Sequence, residues 1–207
     1  MDFNAIPRPA FGRQALHAED KTPSTLTAKA TVRRALMFKE AKELLCALPT
    51  PGESVHAIMT GRYDLMLLLV ALLDLHPAPC KRLYVATLAF NKRNAVELLA
   101  LLESGKIGGL TLLASSFFRD HNKGLVEWFA EEIAEYPGSV AAYARNHAKV
   151  ICFDFADGAG LVLETSANLR TNGNWEQLTV MRDRPLHDWH ALWISERTGQ
   201  ADESRKS

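Results

Sequence analysis

Cysteine is scarce in this chain, and the three that occur, Cys46, Cys80 and Cys152, are odd in number and far apart. That spacing leaves no disulfide framework and no zinc-ligand pattern, so reduced thiols inside a core are expected. Long apolar runs are missing too. The longest, over 65–73, falls far short of the ~20 residues a spanning helix needs, and Asp64 and Asp74 flank it. It reads as a buried helix, and stable membrane insertion is not expected. An excess of charge of either sign is also absent, since 24 lysines and arginines balance 24 aspartates and glutamates. Any polyanion must therefore meet a local basic patch. The opening Met1-Asp2-Phe3-Asn4 lacks a basic stretch leading into an apolar one, so a secretory signal is not expected and the cytoplasm is the expected compartment. No internal repeat is evident.

What is present suits one soluble domain: 207 residues, 47% of them hydrophobic and 23% charged. Residues 1–30 mix Pro7, Pro9, Gly12 and Pro23 with polar residues and read as an N-terminal arm. The domain proper is expected over 31–197, with a polar, disordered tail over 198–207. Helix-period apolar residues predict a helix over 31–48, ended by Pro49-Thr50-Pro51-Gly52. Strands at 54–59, 82–89 and 110–114 alternate with helices at 63–75, from an Asn91 cap to Ser104-Gly105, and at 120–136. Such alternation implies right-handed crossovers and a mixed, largely parallel α/β sheet with helices on both faces. After Gly138 the pattern changes. Strands at 139–144, 147–155, 160–167 and 175–181 leave little room for helices and predict an antiparallel C-terminal extension. A closing helix is expected over 185–195.

The chemistry concentrates at His147 and Lys149, which alternate onto one face of a strand while Asp154 falls on the other. Asp157-Gly158 signals a tight hairpin, and a two-residue turn there pairs His147 with Asn168 and Lys149 with Ser166. Four polar side chains are then expected to converge. A one-residue slip would undo that alignment.

The series His147, one residue, Lys149, four residues, Asp154, followed by Thr165-Ser166-Ala167-Asn168 and then by Glu176, resembles the motifs of the phospholipase D superfamily. Thr165 stands where the family has glycine, and the interval from Asp154 to Ser166 is longer than usual, which a longer hairpin is expected to absorb. The resemblance spans roughly residues 54–195 and implies a phospholipase D-like fold and a phosphodiesterase that needs no metal and no cofactor. It further implies a phosphohistidine intermediate, with one imidazole attacking phosphorus and a second protonating the leaving oxygen.

A second His-x-Lys pair, His121-Asn122-Lys123, falls at the start of the helix expected over 120–136 and lacks the downstream serine and asparagine, so only His147-x-Lys149 carries the full motif. A symmetric homodimer is therefore expected to bring two His147 rings together. Lys149 and Asn168 are expected to hold the phosphoryl oxygens, and Glu176 to accept a proton from the second imidazole nitrogen. His147, Lys149, Asn168 and Glu176 are thus the candidate catalytic residues. Ser166 and Asp154 are supporting candidates, Asp154 in a structural role. Absence of a signal or anchor favours DNA or RNA over lipid, and an endonuclease is the leading expectation. Arg62, Arg145 and Arg170 are candidates for extending a phosphate track. A non-catalytic nucleic-acid-binding module of the same fold and a phospholipase remain as alternatives. His187 and His190, three apart on the closing helix, have metal-ligand spacing but no evident third ligand.

Overall fold

The computed structural model describes residues 39–45, 48–59, 64–170 and 173–206, with side chains through residue 201. The expected N-terminal arm lies outside these residues, as does most of the first expected helix, of which 39–45 is helical (α1). The chain continues as β1 (Ser54–Met59), α2 (Leu65–Leu75), β2 (Cys80–Ala86), α3 (Lys92–Glu103), β3 (Leu110–Ser115), α4 (Ser116–His121), α5 (Lys123–Ala134), β4 (Val140–Ala144), β5 (Val150–Phe155), β6 (Gly160–Thr165), β7 (Glu176–Arg182) and α6 (Arg184–Lys206).

Seven strands form one mixed sheet in the order β1-β7-β6-β5-β2-β3-β4. β2, β3 and β4 pair in parallel, and the remaining four ladders are antiparallel. The alternating pattern had grouped β1 with the parallel strands. It does run in their direction, yet it pairs with β7 at the far edge, so only two ladders are parallel.

Period-two alternation sorts the side chains between two faces. Ile151, Phe153 and Phe155 of β5, Leu161 and Leu163 of β6, and Leu83 and Val85 of β2 join the main core with residues of α2, α3 and α5. On the other face, Val150, Cys152 and Val162, with Ala86, Leu113 and Ala142, pack under α6. The apolar run forms α2 as expected, capped by Asp64, whose carboxylate accepts from the Leu67 N–H at 3.1 Å. Among the described residues no helix is long and apolar enough to cross a membrane.

Two helices and one hairpin also differ from the sequence expectation. The helix expected over 120–136 is two helices that meet at Asn122, because the chain turns into α4 directly after β3, where Ser115 caps it by accepting from the Phe117 N–H. His121 therefore ends a helix rather than beginning one. The expected disordered tail is helical, with α6 running to Lys206. Ile194, Thr198 and Ala201 recur at helical spacing: Ile194 and Thr198 are buried, and Ala201 packs partly buried against the Ala86 cluster. The Thr198 hydroxyl donates to the Ile194 carbonyl at 2.7 Å. Small and polar residues thus supply a contact stripe that hydropathy does not flag.

The third difference is the β5–β6 hairpin. Val150 faces Glu164, not the Thr165 that a two-residue turn requires. The loop is 156–158, with the Phe155 N–H donating to the Ala159 carbonyl and Gly158 at φ 86°, the left-handed position of a three-residue turn with a bulge. Asp157 accepts from the Ala159 N–H at 3.0 Å, a side-chain bond that fixes this longer turn. The turn is still tight. The extra residues between Asp154 and Ser166 lie in the paired strands, not in an enlarged hairpin.

Candidate active site

The carboxyl ends of β2, β3 and β4 and the amino end of β5 share one edge of the sheet, the position where open α/β sheets place their ligand sites. Three small polar groups organise this edge. Asn146 donates its amide to the Thr87 carbonyl at 3.1 Å and the Leu113 carbonyl at 3.2 Å, tying the ends of β2 and β3 together. Its Oδ1 accepts from the Ala148 N–H at 3.0 Å. That bond uses the donor a β ladder would need, so the strand expected from residue 147 begins only at Val150. Buried Thr87 donates to the Ala89 carbonyl and accepts from the Leu169 N–H at 3.2 Å. The segments carrying His147 and Asn168 are thus both fastened to the end of β2.

His147 is exposed on this edge. Lys149 donates from Nζ to His147 Nδ1 at 3.1 Å and to the His147 carbonyl at 2.9 Å. With the ammonium donating to Nδ1, a neutral ring carries its proton on Nε2. Burial lowers the Lys149 pKa below its ordinary value, and the negative charge of Glu176 opposes that shift. Glu176 accepts from the Ser166 hydroxyl, and Ser166 Oγ accepts in turn from the Gln177 N–H at 3.0 Å. His147, Lys149, Glu176 and Ser166 are therefore joined through hydrogen bonds and one charge interaction.

The observed register sets Lys149, not His147, beside the end of β6, where the Thr165 N–H donates to the Lys149 carbonyl at 3.2 Å. The cross-strand pairings of His147 with Asn168 and of Lys149 with Ser166, expected from a two-residue turn, are thereby corrected. Thr165 ties the chain locally, donating to the Gln177 carbonyl at 2.7 Å and accepting from the Ala167 N–H at 3.0 Å. Asn168 is half-buried, with Oδ1 buried and unpaired among the described residues. Asp154 lies near the opposite end of β5, on the α6 face, bonded to Arg184 at 2.8 Å and Lys81 at 3.3 Å. It fastens α6 to the sheet and stands apart from the His147 group.

Beside His147 opens a cavity of about 600 Å³ lined by Leu88, Ser115, Ser116, Phe117, Arg145 and Asn146. Arg145 and Asn146 also border a second cavity of about 360 Å³ on the α6 side, together with Trp193 and Arg197. Arg170 is exposed in the segment after Asn168, and Arg62 lies outside the described residues. Asn146, Thr87 and Phe117 were not singled out from sequence. The signal for the first two was their place at strand ends, which becomes visible only once the strands are aligned. His187 and His190 are already engaged. His187 bonds Asp188, whereas His190 bonds Glu164 through Nε2 and receives the Trp193 indole N–H at Nδ1.

No family model and no curated protein matches the sequence. Among solved structures, the chain is similar to NucT from Helicobacter pylori, with a TM-score of 0.50 and 16% identity over 72% of this chain and 98% of that one. It is also similar to Nuc from Salmonella typhimurium, described as a phospholipase D family member, at 0.49 and 11% over 72% and 96%. A yeast tyrosyl-DNA phosphodiesterase gives 0.38 and 13% over 62% and 30%.

Proposed function

Because this chain has the phospholipase D superfamily fold, we propose that it is a metal-independent phosphodiesterase, an endonuclease acting on DNA or RNA through a phosphohistidine at a homodimer interface. The observation that carries the reading is the exposed His147 ring held by Lys149 at the sheet edge, with the Glu176 charge acting on the ammonium. In the proposed first step the Lys149 ammonium leaves Nδ1 for a phosphoryl oxygen, the ring proton moves from Nε2 to Nδ1, and the freed Nε2 attacks phosphorus as the bond to the departing alkoxide oxygen breaks. The partner subunit's His147 gives that oxygen a proton. In the second step the same partner ring takes a proton from water, whose oxygen displaces the phosphoryl group from His147.

Lys149 has a clear part in this scheme. Its ammonium is already aimed at the ring, and transferring to a phosphoryl oxygen places its charge where negative charge develops. Glu176 keeps that ammonium charged and in place through the fixed Ser166 bond, and serves to orient the imidazole. Asn168 adds an amide dipole from the segment fastened to Thr87. A second imidazole is required for the leaving group, and the occurrence of one full motif per chain, His147-x-Lys149 with Ser166 and Asn168 downstream, is what supports the homodimer. The sequence identity to NucT is 16%, so that likeness carries the fold alone and the reading rests on the His147 site.

The test is turnover of a single-stranded oligonucleotide and a chromogenic phosphodiester by the wild type and by His147→Ala. Loss of at least about 10³-fold is expected for the variant, the scale of removing an acid–base group. Acid-quenched wild type should carry phosphate on His147. Equal turnover by the variant, or full activity from a strictly monomeric protein, sinks the proposal.

A further inference from the structure

The cavity beside His147 has no part in the chemistry just described, yet its construction is specific. α4 turns Phe118 into the core, where it packs on Phe90 with ring centroids 4.7 Å apart. A helix advances about 100° per residue, so the preceding Phe117 is carried out of the core. It is 66% exposed on the rim of the cavity. The ring is not loose: His121, one turn on, lies against it with centroids 4.2 Å apart, and His121 Nδ1 bonds the Phe117 carbonyl at 2.8 Å. Apolar Leu88, a supported aromatic face and the Arg145 guanidinium, with the His147 ring beside them, make a pocket for something flat and apolar joined to an anion. Its volume is in the range of small-ligand sites.

Large exposed aromatics are few among the described residues, and Trp175, 77% exposed, immediately precedes Glu176 on this same edge. Arg145 also borders the second cavity with Arg197, so positive charge continues across the edge to the α6 side.

We propose that the Phe117 cavity is a base-accepting subsite, and that the substrate class is single-stranded nucleic acid. The base next to the scissile phosphate stacks on Phe117, while Arg145 holds an adjoining phosphate. This deepens the phosphodiesterase reading and rests on it. Base–aromatic stacking tolerates any sequence, because every base has a π-face, whereas a base within a duplex has both faces occupied by its neighbours. Single strands are therefore taken in preference to duplexes. Arg145 on the rim, continued by Arg197 across the edge, favours a polyanion over an apolar lipid chain.

The experiment measures binding, so that it does not depend on turnover. Fluorescence anisotropy is read on the full chain with hydrolysis-resistant phosphorothioate octathymidylate, an abasic octamer of the same backbone, the corresponding duplex and phosphatidylcholine vesicles. Wild type is expected to prefer octathymidylate to each of the others. Phe117→Ala is expected to weaken octathymidylate by about tenfold, the order of one base stack, and to bring it level with the abasic strand. Phe117→Trp, which keeps a ring, is expected to retain the preference. The exposed position leaves the fold intact, which circular dichroism checks. Unchanged octathymidylate affinity in Phe117→Ala overturns the subsite, as does wild-type binding of duplex, abasic strand or vesicles as tightly as octathymidylate. Failure of the catalytic reading is a separate result: it appears as His147→Ala turning over like wild type, whatever the binding shows.

Discussion

At the scale of single residues, Lys149 is the most informative. Burial disfavours its charged form and moves its pKa down from 10.5, while Glu176 pushes it back up. The scheme needs the ammonium, so activity is lost as pH rises through the folded pKa, and that limb lies below the ordinary lysine value. Glu176→Gln removes the opposing charge and takes the pKa further down. A profile of kcat/KM over about pH 7 to 11 is expected to show the alkaline limb at lower pH in Glu176→Gln than in wild type. An unmoved limb would separate Glu176 from Lys149. His147 and Lys149 could be read from sequence because a histidine and a lysine on one face are chemically conspicuous. Asn146 could not, since its work is done through backbone carbonyls at Thr87 and Leu113 that no local pattern links to it. The two described thiols agree with the reduced, buried reading: both are free and buried, burial pushes Cys80 up to about 12 and raises Cys152 as well, and Cys46 lies outside the described residues.

At the scale of elements, the hairpin shows how far local signals reach. Asp157-Gly158 announced a turn, and a turn is there, but a two-residue and a three-residue loop use the same dipeptide. Their difference is one residue of register. The choice is made by the Asp157 bond to Ala159 and by the left-handed backbone at Gly158. A Cβ at Gly158 would meet nothing within 4 Å, so Gly158→Ala carries a purely conformational penalty. It is expected to destabilise the protein by about 1 kcal/mol, read as a lower midpoint in urea at unchanged m. A neutral result would show that the turn relaxes out of that conformation. Gly160 is different: a Cβ there would stand 2.8 Å from the His187 Cβ, which marks how closely α6 lies on β6. The length of α6 stayed hidden for a related reason, since its last turns are held by Thr198 and Ala201, residues that carry no strong periodic signal.

At the scale of the whole molecule, the alternation of strands and helices conveyed the class of fold, and the change after Gly138 conveyed the antiparallel addition. Neither conveyed which strands lie side by side, because pairing between β1 and β7 spans more than a hundred residues and leaves no local trace. The same long-range pairing has a consequence for how the protein is made. β5 lies between β2 and β6, so the backbone groups along one side of Cys80–Ala86 have no partner until Val150–Phe155 has been synthesised. A nascent chain that stops at residue 145 therefore presents an apolar, unpaired strand to its surroundings, the kind of edge that recruits other chains. Such a fragment is expected to sediment as aggregate where the full chain stays in the supernatant. The ribosome must deliver β5, the strand that follows His147, before the earlier half of the molecule becomes safe from its neighbours, so the proposed active-site segment and the covering of this edge arrive at the same stage of synthesis.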